Sequence, residues 1–397
     1  MSEWEPAEAD EPQPSGRSAG GPGAGRGGAG GSVAAAAFGP RRRSPLAVTL
    51  LIVAALSIVL SSTADLWTEV LWYDSVGFKG VFFTELWSKV FLGVTSGVLT
   101  AALVASSILI GYRSRPIYPP STPQQEALDR YREALEPLRR LVTLAAPLLV
   151  GTLVGLGAAS QWQTFLLWRN GQSFGQVDPY FGQDLGFFIF TLPWLSFLVA
   201  LLTVVLLAAA FAAGFTHYVY GGLQLSGPHR QTTSAARIHL SVLLAALVLV
   251  RAVAYWLERF ELSNQSSTLM TGVQYTGATA VLPAKAILSV ASVICAALFL
   301  AVIFTKTWRL PVVGVALLII TSVVVGGIYP GVIQSLKVKP SEKSLEAPYL
   351  DNHIKATRAA YGLDGVEVTQ YQPKTNADPT VLRSDAASLP GIRLVDP

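Results

Sequence analysis

Seven stretches of almost unbroken apolar residues alternate with polar and basic segments along the chain, at 46–64, 90–111, 141–160, 187–214, 239–256, 284–304 and 310–328. Each is close to the roughly 20 residues that an α-helix needs to cross about 30 Å of hydrocarbon. Within lipid the backbone must satisfy its own N–H and C=O groups, and a helix does so inside one segment. The pattern predicts an all-α fold, a polytopic bundle of about seven transmembrane helices. The short link at 305–309 forces the last two into an antiparallel hairpin.

Composition sharpens this picture. Of 397 residues, 51% are hydrophobic and 14% charged, against about 25% charged in ordinary soluble domains. A soluble globular domain is excluded. Residues 1–43 depart from the rest: an acidic start gives way to Gly, Ala, Ser and Pro, with ten glycines between Ser15 and Pro40. Ordering such a segment costs backbone entropy with little burial to offset it, which predicts a disordered cytoplasmic tail.

Orientation follows from where Lys and Arg lie, because short cytoplasmic loops collect them. With Arg41, Arg42 and Arg43 inside, alternation through seven spans also places Arg113, Arg115, Arg130, Arg132, Arg139, Arg140, Arg230, Arg237, Lys306 and Arg309 inside. The opposite loops and their borders hold Lys79, Lys89, Arg169, Arg259 and Lys285. This predicts a multi-pass plasma-membrane protein with a cytoplasmic N-terminus and an extracytoplasmic C-terminus. These loops account for the net charge of +4, so it carries no reading as a nucleic-acid binder. A cleaved signal is the rival reading of the first run, but some forty residues ahead of the apolar core are too many for an ordinary signal peptide.

Three groups of residues are candidates for function. Along the fifth run, Arg251, Tyr255 and Glu258 recur at i, i+4 and i+7, hence on one helix face. Arg251 lies about 18 Å past His239 at 1.5 Å per residue, in the outer half of a bilayer. Ionisable residues at such depth face an interior or an aqueous cavity, or snorkel to the headgroups; both readings, a polar path and a snorkelling or paired arginine, stand. In the loop before the fourth run, Asp178, Tyr180 and Asp184 form a possible extracytoplasmic site, with a shared hard cation as one reading and turn formation plus helix capping as the other. Trp67, Trp72, Tyr73 and Trp87 suit the headgroup layer, where a ring body and a polar edge are both satisfied. They read as an interfacial belt or, more sharply, a lipid-binding groove.

No metal site is expected. The histidines at 217, 229, 239 and 353 lack ligand spacing, and Cys295 is the single cysteine, so a local zinc set cannot be assembled and no intrachain disulfide can form. No P-loop, GxSxG, HExxH or GxGxxG fingerprint stands in a supporting context. No cofactor and no catalytic residue are assigned.

Four separated stretches are specific enough to carry a likeness: Leu71 to Phe78; Phe174-Gly175 with Asp178 to Phe188; Tyr275-Thr276 with Leu282-Pro283; and Pro348 to Leu363. Through them the chain resembles the large, mainly actinobacterial membrane proteins grouped as Uncharacterised Protein Family 0182. The resemblance implies a seven-helix membrane region followed by a large extracytoplasmic part, with no assigned activity and no site residues to carry over. Family members are longer. The stretch 329–397 also falls short of the roughly 70 to 80 residues below which one core seldom folds unaided. It reads as the start of a larger domain, with Pro397 a truncation point. Within it, Leu350, Ile354, Thr357 and Tyr361 mark the face of a short helix that needs a partner.

The sequence thus reads as an envelope anchor or assembly component, non-enzymatic, contacting membrane lipids and an extracytoplasmic partner. The alternative is a transporter or lipid-handling protein with a polar path near Arg251, against which stands the lack of a recognisable inverted repeat. A third reading is an enzyme whose active site lies past Pro397. Oligomeric state is open, because Gly93, Gly97, Gly151 and Gly155 permit helix contacts within or between chains.

Overall fold

A computed structural model describes residues 45–116, 137, 139–223, 232–267, 269–370 and 379–384. The tail expected over 1–43, the cations Arg130, Arg132 and Arg230, His229 and the end at Pro397 lie outside the described residues. Seven helices among those described are long and apolar enough to cross a membrane, with no β-strand beyond isolated bridges. This is the all-α, polytopic architecture that the apolar runs imply.

The residues up to Lys79 form one compact unit and those from Gly80 onward a second, the boundary falling at the first residue of a helix that otherwise belongs to the second. The first holds α1 (Pro45–Ser75). The stretch after the first apolar run, expected to be a loop, is helical instead, because neither Gly nor Pro interrupts it before Gly77. Thr63, Thr68 and Ser75 return their hydroxyls to carbonyls of the preceding turn, so polar residues continue the helix at no backbone cost. Gly77, at φ +77°, ends it: its N–H donates to the Asp74 carbonyl at 3.1 Å and that of Phe78 to Tyr73 at 2.9 Å.

The second unit contains α2 (Lys79–Arg113), α3 (Arg139–Ala159), the short α4 (Trp162–Arg169), α5 (Leu192–Val219), α6 (Ser234–Glu261), α7 (Leu282–Thr305) and α8 (Arg309–Val323). From Arg309 the chain stays helical to Ala360, finishing in α9 (Glu342–Ala360). Four wider π segments interrupt these helices: Phe187–Thr191, Gly277–Val281, Val324–Ile328 and Ile333–Val338. Each ends two residues before a proline, at Pro193, Pro283, Pro330 and Pro340. Proline offers no N–H and its ring clashes with the carbonyl four residues back; a wider turn displaces that carbonyl and keeps the helix going.

Small residues set the packing. Gly93 and Gly97 of α2 meet Gly155 and Gly151 of α3 so closely that a Cβ on Gly151 would stand 2.6 Å from the Gly97 carbonyl oxygen. In lipid, where apolar burial between helices gains little, such backbone approach maximises dispersion contacts. The glycine spacing is therefore used within the chain. Between α6 and α7 the buried Ser289 hydroxyl donates to the Ala252 carbonyl at 2.9 Å, and Ala245, Cys295 and Phe299 form a separate buried cluster.

The two ends of the second unit differ in their acids. One end carries Arg113, Arg115, Arg139, Arg140, Arg237, Lys306 and Arg309 with no described acidic residue among them, whereas the other carries Glu85, Asp178, Asp184, Glu258, Glu261 and Glu346 together with Lys89, Arg169, Arg259 and Lys285. At the basic end Arg237 donates to the Lys306 carbonyl at 2.7 Å, tying the start of α6 to the end of α7. Lys306 itself closes α7 in the left-handed region, φ 58°.

Candidate functional site

The acidic end is built from two loops and α9. In the first loop, both Asp178 and Asp184 are committed to the backbone. Asp178 Oδ2 accepts the N–H groups of Tyr180 and Phe181 at 2.9 and 2.8 Å, forming the turn that Pro179 permits. Asp184 precedes the helix that opens at Leu185, and it accepts four donors: the Ser173 hydroxyl at 2.7 Å and the N–H groups of Phe174, Gly175 and Gly186. These hydrogen bonds, Ser173 foremost, hold its carboxyl at about 2, below the usual 3.8. With each oxygen accepting two donors, Asp184 is oriented by its own loop and helix start.

The second loop leads to α7, whose helical path opens at Tyr275. Its cap comes from far along the chain. The Glu346 carboxylate, on α9 and 1% exposed, accepts the Tyr275 N–H at 3.0 Å. A carboxylate there satisfies an orphan donor and complements the helix dipole. Two further residues of α9 contribute to the same junction: Tyr349 stacks on Tyr180 with ring centres 5.9 Å apart and 9° between planes, and Asn352 donates to the Tyr180 hydroxyl at 3.3 Å. Tyr275 meets Tyr349 edge-on at 6.3 Å, and the Lys337 ammonium lies 5.1 Å from the Tyr275 ring centre. Thr276 is hydrogen-bonded to Gln334.

The helix docks by a polar edge, and the face marked by Ile354 and Tyr361 is left open. Glu346, Tyr349 and Asn352 pack, whereas Ile354 and Tyr361 are 56% and 77% exposed. Polar groups win because the loops offer an uncapped helix start and a phenol hydroxyl, which a leucine face cannot satisfy.

Arg251, Tyr255 and Glu258 do lie together. Arg251 Nη1 is 2.8 Å from Glu258 Oε1, and its guanidinium lies 4.0 Å from the centre of the Tyr255 ring. A residue that the i, i+4, i+7 pattern does not contain completes the cluster: Lys285 of α7 pairs with Glu258 Oε2. Two cations on one carboxylate join α6 to α7 and leave one positive charge in excess within the cluster, with the Arg251 side chain 48% exposed.

Of the aromatic candidates, Trp67 and Trp72 are exposed on α1, and Trp72 meets Tyr73 edge-on at 4.9 Å. Trp87 borders a groove of about 630 Å³ with Phe91, Phe165 and Arg169. His217 and His239, distant in sequence, come together at the basic end with Nε2 and Nδ1 3.3 Å apart. No group of three or more potential metal-ligating side chains occurs among the described residues.

The profile of the family described as "Uncharacterised protein family (UPF0182)" matches residues 46–397. The chain belongs to UPF0182. Among UPF0182 relatives, a protein of Kineococcus radiotolerans is 47% identical over 338 residues, 84% of this chain and 33% of that protein. Proteins of a Nocardioides species and of Streptomyces coelicolor are 42% and 41% identical, each over 90% of this chain and 36% of the relative. The chain thus spans about a third of the length of the curated relatives it matches. No solved structure matches it.

The UPF0182-like stretches gain meaning from the fold. Tyr180, Tyr275, Tyr349 and Asn352 come from three of them, and they meet at one junction. Sequence reading flagged those stretches one by one; contacts spanning 71 and 172 residues leave no local signal that would pair them.

Proposed function

We propose that this part of the UPF0182 protein is a non-enzymatic membrane anchor whose acidic end faces out of the cell and presents an extracytoplasmic region in a fixed pose. One observation carries the reading: three separated family-like stretches converge to clamp α9 onto the bundle through Tyr349 and Asn352, beside the Glu346 cap. A clamp at the start of an exposed region suits a platform. The seven described basic residues at the opposite end support a cytoplasmic placement for it, by the positive-inside rule.

Thiol labelling tests this on the whole chain in intact cells, with the buried Cys295 replaced by Ser. Tyr361→Cys reacts with a membrane-impermeant reagent directly, and Arg115→Cys only after permeabilisation. The reverse pattern overturns the orientation, and substrate turnover abolished by Glu258→Gln overturns the non-enzymatic reading.

A second reading, transport or lipid handling along a polar path near Arg251, draws support from a half-exposed guanidinium at spanning depth. In reconstituted vesicles, flux or lipid movement unchanged by Arg251→Ala removes it.

A further inference from the structure

At the basic end, α2, α3 and α5 enclose a groove of about 340 Å³. Its walls are apolar, formed by Val104, Ile108, Val142, Ala146, Phe211 and Phe215. Its mouth is aromatic and basic. Tyr112 and Tyr220 meet there edge-on at 5.3 Å, Arg139 is hydrogen-bonded to the Tyr112 hydroxyl, and two guanidiniums, those of Arg115 and Arg139, each lie 4.6 Å from the centre of the Tyr112 ring.

Dimensions select the occupant. The lining runs from Arg139 to Val150 on α3 and from Ala208 to Tyr220 on α5, about 16 to 18 Å at 1.5 Å per residue. That is roughly half of a 30 Å hydrocarbon layer, the depth of a single leaflet. The two hydroxyls in the walls, Thr143 and Thr216, already donate to the Arg139 and Ala212 carbonyls, so the walls favour an apolar occupant, and an apolar molecule without a headgroup would not use the cations at the rim. An acyl chain beneath a phosphate meets both conditions. Basic pockets between helices on the cytoplasmic side are suited to anionic headgroups, to which each nearby Lys or Arg adds about 1 kcal/mol of attraction.

We infer that this groove is a binding site for one anionic phospholipid of the cytoplasmic leaflet, its acyl chain between α2, α3 and α5 and its phosphate at Arg115 and Arg139. The inference rests on the membrane reading of the helices and on the proposed orientation.

The full chain, reconstituted in vesicles of equal phosphatidylcholine and phosphatidylglycerol and released for native mass spectrometry, provides the test. Flotation with the vesicles is scored first, because its loss would strike the membrane reading rather than the groove. The expected result is one retained phosphatidylglycerol, favoured over phosphatidylcholine. Arg115→Gln, at an exposed residue past the end of α2, reduces that preference about fivefold. Ala146→Trp, which fills the groove, releases both lipids. Equal retention of the two lipids by the unaltered chain, or a preference untouched by Arg115→Gln, overturns the site. So does glycerol phosphate binding as tightly as the lipid, which would mean an anion site alone. A photoreactive residue at Ala146 that marks residues 117–138 instead of lipid would show that the chain covers its own groove, and would also overturn it.

Discussion

Glu346 caps a helix that begins 71 residues before it, accepting the Tyr275 N–H at 3.0 Å from a side chain that is 1% exposed. Truncation to alanine leaves the Tyr275 donor without its partner and opens a void at the root of α9. Glu346→Ala should lower stability by about 1–3 kcal/mol, read as a fall in the thermal midpoint in detergent. Glu346→Gln, which keeps an acceptor but not the charge, should cost less.

Glu258 holds two cations at once, so its loss is worse than the loss of either cation. Glu258→Gln should destabilise by about 1–2 kcal/mol, a figure kept small because these side chains are 22–48% exposed. Adding Lys285→Met should recover part of that loss. A double-mutant cycle on the unfolding free energy checks this, and strict additivity would contradict it.

Asp184 gives the acidic end a pH dependence of known sign. Its folded carboxyl sits at about 2, below the ordinary 3.8. The stabilisation is therefore fully present above about pH 4 and is lost as pH falls through about 2. Ser173→Ala removes the foremost donor and should raise that carboxyl toward its ordinary value. Asp184→Asn should erase the dependence within this window, measured by thermal unfolding across pH.

Neighbouring glycines of α3 should respond in opposite directions. A Cβ on Gly155 meets the Gly93 carbonyl oxygen at 2.5 Å, whereas one on Gly157 meets nothing within 4 Å. Gly155→Ala should cost about 1–3 kcal/mol through forced separation of α2 and α3. Gly157→Ala should add about 0.5–1 kcal/mol by restricting the unfolded chain and favouring helix. Comparison of the two thermal midpoints is sufficient.

Lys306 adopts φ 58° where α7 ends, a conformation that costs an L-residue about 1 kcal/mol and glycine almost nothing. Lys306→Gly should stabilise the chain by up to that amount. The backbone carbonyl that receives Arg237 is retained, so the α6–α7 tie should survive, which the same unfolding measurement tests.

The helices are legible in the sequence because lipid imposes a one-dimensional rule: a long apolar run must be helical. Their ends are not. The helix at Asp65 to Asp74 continues through charged and aromatic residues, since nothing before Gly77 breaks it. At Lys337 and Lys339 the path likewise stays helical by widening ahead of Pro340. The Arg251 stripe follows from helical period alone. Its completion by Lys285 does not, because partner choice between helices depends on rotation about their axes. The tyrosine junction lay furthest from view. Tyr180, Tyr275 and Tyr349 each sit in a distinctive stretch, yet only the antiparallel arrangement of six helices brings the three stretches to one end.

The long-range cap also dictates an order of assembly. During synthesis α7 emerges, and can enter the bilayer, well before Glu346 exists. Until then the first turn of that helix keeps an unclaimed donor at Tyr275, and the loop around Tyr180 lacks the ring that stacks on it. Only when the chain beyond α8 has emerged and been moved to the acidic side can the junction close. The start of α7, the loop around Tyr180 and α9 are thus completed in the same event, and a nascent chain halted before Glu346 is left with an open junction.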